Sequence, residues 1–327
     1  KIARECADNF STPEHPRYVL GSLGPGTKLP TLGHTTYEYL RNAYEVAAKG
    51  LIDGGCDGLL IETAQDLLQA KAAVNGSRSA IKNAGKDIYL MAQVTVEATG
   101  TMLLGSEIGA ALTALEPLGI DSIGLNCATG PTEMSEHLRQ LSQQTEIAIT
   151  CMPNAGLPLL GPKGAEYPLG PEELATAHEQ FVKEFGLAMI GGCCGTTPAH
   201  LEAVVKRLHG RAIAPRTPQR DASVASLYQS VPFRQDTTYL SIGERTNANG
   251  SKAFRDAMEG IILPRVDAFA PELLLISAGK SRDRRVHVRC LDLQPFNILG
   301  RQPPLPPQIQ EPKPRQPRKD RQRGVFA

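Results

Sequence analysis

Apolar residues recur along the first two thirds of the chain in two alternating rhythms. Short, nearly continuous apolar runs cover Tyr18–Leu23, Gly58–Ile61, Ile88–Val96, Ser122–Leu125, Ile147–Thr150 and Leu187–Ile190. Between and after them, apolar positions return every three or four residues near 36–53, 64–84, 105–117, 133–143, 171–185 and 198–209. The first rhythm predicts strands covered on both faces, as in a parallel sheet. The second predicts amphipathic helices. Strict alternation of the two implies right-handed βαβ units. Six strands in about 210 residues suit either an open α/β sheet or most of an eight-stranded barrel. The polar residues incline the choice toward a (β/α)8 TIM-type barrel. Glu62, Cys127, Asn154 and the Cys193-Cys194 pair each follow the apolar part of a run. In such a barrel those strand ends converge on one face, where chemistry is done.

The rhythm stops near residue 210, which closes a predicted domain over 1–210. A linker is predicted over 211–236, where Arg211, Pro215, Arg216, Pro218, Arg220 and Asp221 interrupt any apolar pattern. "YLSIGERTNANGSKAFRDAM", Tyr239 to Met258, then resumes a strand–loop–helix pattern and predicts the start of a second α/β domain over 237–260. From 261 to 327 the chain holds 10 prolines, with 13 Lys/Arg against 6 Asp/Glu, while residues 1–260 carry 22 against 28. A net charge of +1 therefore conceals two unlike regions. The Pro/Arg-rich tail cannot bury a core and is expected to be disordered, extended or aberrant, apart from one isolated strand at "ELLLIS".

Composition narrows the classes. With 41% hydrophobic and 21% charged residues the chain can build a sizeable core. No apolar run reaches membrane-spanning length, so no membrane span is expected. Seven cysteines, at 6, 56, 127, 151, 193, 194 and 290, are too few and too scattered for a secreted disulfide framework. A reducing, cytoplasmic setting is expected. The chain begins at Lys1 rather than Met, as a fragment or processed product would.

The chemistry lies in two strand ends, "SIGLNCATGP" with Cys127 and "MIGGCCGTTP" with Cys193 and Cys194. One cysteine alone is well explained as a small buried residue. Adjacent cysteines in a glycine turn, with a third at another strand end, instead suggest three thiolates on one metal with an open fourth position, as in a catalytic zinc site. Glycines beside them permit tight turns. Glu62, at a strand end, suits either a substrate or a helix N-terminus, and Asn154 after Pro153 suits a turn. Asp66 suits either support of the site or, the favoured reading, an exposed helix-start residue, and Cys151 reads as core.

These motifs resemble the homocysteine methyltransferase family: "GLNC" and "GGCCGTTP" match its zinc motifs. "LIET" and "PNAGLP" are similar to the longer pattern of its cobalamin-dependent methionine synthases, and "IGERTN" to the start of their pterin-binding barrel. The resemblance covers about residues 10–258. It implies a (β/α)8 barrel with Zn2+ on Cys127, Cys193 and Cys194. It also implies Asn154 as a displaceable fourth ligand, Glu62 on the homocysteine amino group, and Glu244 and Asn247 as part of a pterin motif. It further implies a methyltransferase that makes methionine, with methylcobalamin held by a separate cobalamin-binding module and 5-methyltetrahydrofolate as the original methyl donor. The family's first two strands and the Asp-x-His-x-x-Gly cobalamin motif are not matched, so a partial barrel with open edges that is poorly soluble or lacks activity is expected. A cobalamin-free enzyme using betaine or S-methylmethionine is the alternative, and "IGERTN" speaks against it. Binding of nucleic acid through the basic tail is not expected, because the tail carries few aromatics.

Overall fold

The computed structural model describes residues 1–162, 164–234 and Asp256. The second α/β start, with Glu244 and Asn247, and the Pro/Arg-rich tail lie outside the described residues apart from Asp256.

After helix α1 (Ile2–Phe10), strands and helices alternate as the pattern predicts: β1 (Leu20–Leu23), α2 (Tyr37–Asp53), β2 (Gly58–Ala64), α3 (Leu67–Ala84) and β3 (Tyr89–Val94). Next come α4 (Ile108–Leu115), β4 (Ser122–Asn126), α5 (Pro131–Gln144) and β5 (Ala148–Met152). A short hairpin of β6 (Leu159–Gly161) and β7 (Gly164–Glu166) precedes α6 (Pro171–Phe185), β8 (Met189–Ile190) and α7 (Pro198–Leu208). A second hairpin, β9 (Ser223–Ala225) and β10 (Ser230–Pro232), follows. Local chemistry sets the helix starts. Thr36 and Asp66 cap α2 and α3 by accepting from Tyr39 and Leu68 amides. Helices α5 and α6 share a Gly-Pro-x-Glu opening, with Glu133 and Glu173 accepting from the Gly130 and Gly170 amides at 3.1 and 2.7 Å.

The six-stranded sheet is parallel, in the order β1-β2-β3-β4-β5-β8. An order that never reverses is that of a singly wound sheet, the winding of a (β/α)8 barrel rather than of a doubly wound fold. The sheet also curls. Asn126 on β4 accepts a 2.7 Å hydrogen bond from the Thr63 amide on β2, although β3 lies between them. Two strand spacings are roughly 9.5 Å in a flat sheet, so these strand ends must converge. Among the described residues β1 and β8 each have one strand neighbour, so the curl stops short of closure.

Alternation sorts the side chains. Leu59, Ile61, Leu90, Ala92, Val94, Ile123, Leu125 and Ile149 point to one face and join the helices in the main core. The opposite face carries Leu60, Met91 and Met189, but also buried Gln93, Ser122, Asn126 and Thr150. Gln93 donates to Thr150 Oγ1 at 2.9 Å. A Cβ on Gly124 would stand 2.0 Å from the Thr150 carbonyl oxygen, so the inner face admits no side chain there.

The segment expected as a linker is docked. Arg216 donates to the carbonyls of Thr145 and Ile147 at 2.8 and 2.7 Å, Arg220 pairs with Glu116, and Tyr228 O accepts from the Glu107 amide at 2.7 Å. Residues 211–234 thus strap the ends of α4 and α5. The residues that break the apolar pattern make this contact through charge and backbone polarity, which hydrophobic periodicity does not register. Among the described residues no helix is long and apolar enough to cross a membrane.

Candidate metal centre

Three barrel-strand ends build the site. Strand β4 ends in Asn126, and Cys127 and Ala128 both adopt left-handed backbone, at φ 59° and 60°. That turn is held by the Cys127 amide on Met152 O and the Thr129 amide on Cys127 O. Strand β8 gives way to Gly191-Gly192, and the Cys193 amide donates to Pro153 O at 2.7 Å. Gly195, at φ 79°, lies under Tyr167, whose Cβ would be 2.4 Å from any side chain added there. The left-handed non-glycine residues among those described are Thr63, Cys127 and Ala128, all at this face. Such backbone gathers where a site over-determines it.

The turns bring the three thiols together. Cys127 Sγ stands 3.8 Å from Cys194 Sγ, and Cys194 Sγ 4.0 Å from Cys193 Sγ. All three sulfurs lie within 4.8 Å of one another. These are free thiols. Thiolates bound at about 2.3 Å to one tetrahedral ion lie roughly 3.8 Å apart, so the spacing matches a shared metal. The electrostatics agree. Hydrogen bonding from Cys193, aided by the Ala128 backbone, Cys194 and Asn154, draws the Cys127 thiol down to about 5 against the effect of burial. The Cys193 thiol is pushed up by its hydrogen bond to Cys127, by burial and by the neighbouring charge. Cys127 thus ionises readily, and Cys193 resists ionisation beside it.

Asn154, 3% exposed, accepts from the Cys194 amide at 3.1 Å and hydrogen-bonds Cys127. In this conformation it braces the turn from beside the sulfurs. Glu62 lies near the end of β2 and accepts a hydrogen bond from the Ser22 hydroxyl of β1. Asp66 is only 1% exposed, a correction to its reading as an exposed residue. Besides capping α3, it accepts from Thr31 N and Oγ1 at 3.1 and 2.6 Å, pinning the β1–α2 loop. Cys151 is core, and burial raises its thiol.

Sequence reasoning missed four participants. Ser22 holds Glu62. Tyr167 hydrogen-bonds Cys194, which raises the phenol pKa. His178, wholly buried, reaches Gly191 O at 2.7 Å and braces the cysteine turn from behind. Asn126 sits between Thr63 and Cys193. Only Asn126 carried a visible signal, as a polar residue ending an apolar run beside a cysteine.

The family model described as homocysteine S-methyltransferase matches residues 1–208. The chain belongs to the homocysteine S-methyltransferase family. Within this family it is 63% identical over 257 residues to the methionine synthase of Mycobacterium tuberculosis (strain ATCC 25618 / H37Rv), covering 79% of this chain and 22% of that protein. It is 62% identical over 263 residues to the methionine synthase of Mycobacterium leprae (strain TN), with the same coverage. The chain therefore spans under a quarter of the length of these curated relatives. The apo homocysteine methyltransferase MmuM of Escherichia coli aligns with 63% of this chain and 69% of its own, at TM-score 0.49 and 21% identity.

Proposed function

We propose that this chain is the homocysteine-activating part of a cobalamin-dependent methionine synthase. The observation that carries the reading is the triangle of Cys127, Cys193 and Cys194 sulfurs at metal-sharing distance. A soft, all-thiolate donor set suits Zn2+. When bound, the ion supplies Lewis acidity that keeps a substrate thiol ionised at neutral pH. Within the chain, Cys127, Cys193 and Cys194 would hold the ion, and Asn154, beside them, would serve as a displaceable fourth ligand. Glu62, fixed by Ser22, receives the substrate amino group through a charge-assisted hydrogen bond. The protein's contribution is to orient the amino thiol and present its sulfur to an incoming methyl group.

In the whole enzyme of this kind the methyl comes from methylcobalamin on a cobalamin-binding module, and originally from 5-methyltetrahydrofolate. On this reading residues 1–210 form the homocysteine barrel, 211–236 connect it onward, and 237–260, with Glu244 and Asn247, begin the pterin-binding domain. The two mycobacterial relatives favour this over a cobalamin-free methyltransferase.

Calorimetric titration of the zinc-loaded chain tests the substrate assignment. L-Homocysteine should bind and release a proton to buffer at pH 7, whereas L-homoserine, with oxygen for sulfur, should not bind. Equal binding of the two, or homocysteine binding without proton release, would contradict the assignment.

A further inference from the structure

Asn126 joins the two ends of the site. It closes β4 and is 1% exposed. Its Oδ1 accepts the Thr63 amide at 2.7 Å, and its Nδ2 donates to Thr63 Oγ1 at 2.8 Å and lies 3.9 Å from Cys193 Sγ. The reverse orientation of the side-chain amide would set two donors against each other at Thr63 N, so the network fixes which end is oxygen. The hydrogen bonds of this buried side chain go to one residue, Thr63, through its amide and its hydroxyl, and to one thiol, Cys193.

Thr63 is the residue that this clamp constrains. It is β-branched yet holds φ 57°, a region such residues rarely enter. It also interrupts the ladder: the β2–β3 register shifts between Ile61 and Ala64. The residue before it is Glu62. The left-handed step at Thr63 therefore determines how β2 delivers Glu62 to Ser22, and Asn126 holds that step. The same Asn126 amide hydrogen-bonds Cys193.

We propose that Asn126 is a positioning residue that sets Glu62 in fixed relation to the thiol cluster, so that the site grips an amino thiol at both ends and discriminates against a thiol with no amino group. The proposal rests on the functional reading above and adds the source of its selectivity. Without the clamp, Glu62 and the sulfurs remain present but their separation is no longer set. A ligand that spans both then loses its advantage over one that uses the sulfur end alone.

The test uses the full chain loaded with zinc and two probes of the same carbon skeleton, L-homocysteine and 4-mercaptobutanoate. The wild type should favour homocysteine by roughly tenfold or more, the scale of a charge-assisted contact. Asn126→Ala should bring the two affinities within about twofold, chiefly by weakening homocysteine, with zinc retained. Asn126→Asp keeps an acceptor for the Thr63 amide but sets a negative charge beside Cys193. It should preserve the preference while lowering zinc affinity in chelator competition by about tenfold. Thr63→Gly relaxes the left-handed step and removes the hydroxyl that accepts from Asn126, while leaving the Asn126 side chain and the sulfurs in place, and covers the case in which Asn126→Ala does not fold. It should reduce the preference while leaving 4-mercaptobutanoate binding unchanged. A wild type that binds both probes alike contradicts the functional reading and this proposal with it. A wild type that discriminates, alongside Asn126→Ala or Thr63→Gly variants that discriminate equally, overturns the proposal alone.

Discussion

His178 lies wholly buried on α6, with Nε2 on the Gly191 carbonyl at 2.7 Å and Nδ1 without a hydrogen-bond partner. A carbonyl only accepts, so Nε2 carries the proton and Nδ1 is bare. Protonating Nδ1 would bury a charge and a donor with nothing to receive it. Burial accordingly lowers the imidazole from 6.5 to about 4, although the Gly191 contact works the other way. Below the unfolded value the unfolded chain binds a proton that the folded chain refuses, so stability falls as pH drops from about 6.5 toward 4. Between pH 7 and pH 5 the loss works out at about 2 kcal/mol, approaching about 3 kcal/mol below pH 4. Urea unfolding of the metal-free chain at several pH values measures this. His178→Gln retains a donor for Gly191 but does not titrate. It should be less stable than wild type at pH 7, and its deficit should shrink by about 2 kcal/mol at pH 5. A deficit that stays constant across this range would show that His178 does not titrate as its burial requires.

Serine at Cys127, Cys193 or Cys194 should remove most bound zinc, read by elemental analysis after dialysis, whereas Asn154→Ala should retain it and lose less function. Glu62→Gln should keep zinc and weaken homocysteine by roughly tenfold in calorimetry, since a charged acceptor becomes a neutral one. Arg216→Ala removes the donor shared by Thr145 O and Ile147 O. It should release the strap, speed tryptic cleavage after Arg220 in limited proteolysis, and cost about 1–3 kcal/mol of stability.

The alternating elements were legible because each rests on local pattern. Gly-Pro-x-Glu starts two helices, Asp66 starts another, and the apolar runs fall within a few residues of the six sheet strands. The cysteine triangle was legible because two strand ends of a singly wound sheet must share a face. The interactions that orient the site were not, since they link residues far apart in sequence: Ser22 with Glu62, Thr63 with Asn126, His178 with Gly191. The 211–234 strap was hidden for a related reason. It docks through arginine to carbonyl oxygens, so its composition resembles that of a free linker. Helix α1 escaped notice because it buries no side chain, and is held instead by Arg4 on Asp57 and on Arg17 O.

X-ray absorption at the zinc edge tests the central claim most directly, because it counts the sulfur atoms around the ion. Cys127, Cys193 and Cys194 should contribute three sulfurs, with one lighter ligand completing the shell. Addition of L-homocysteine should raise the count to four and remove the lighter ligand. A count that stays at three with homocysteine bound would contradict activation of the substrate sulfur at this centre.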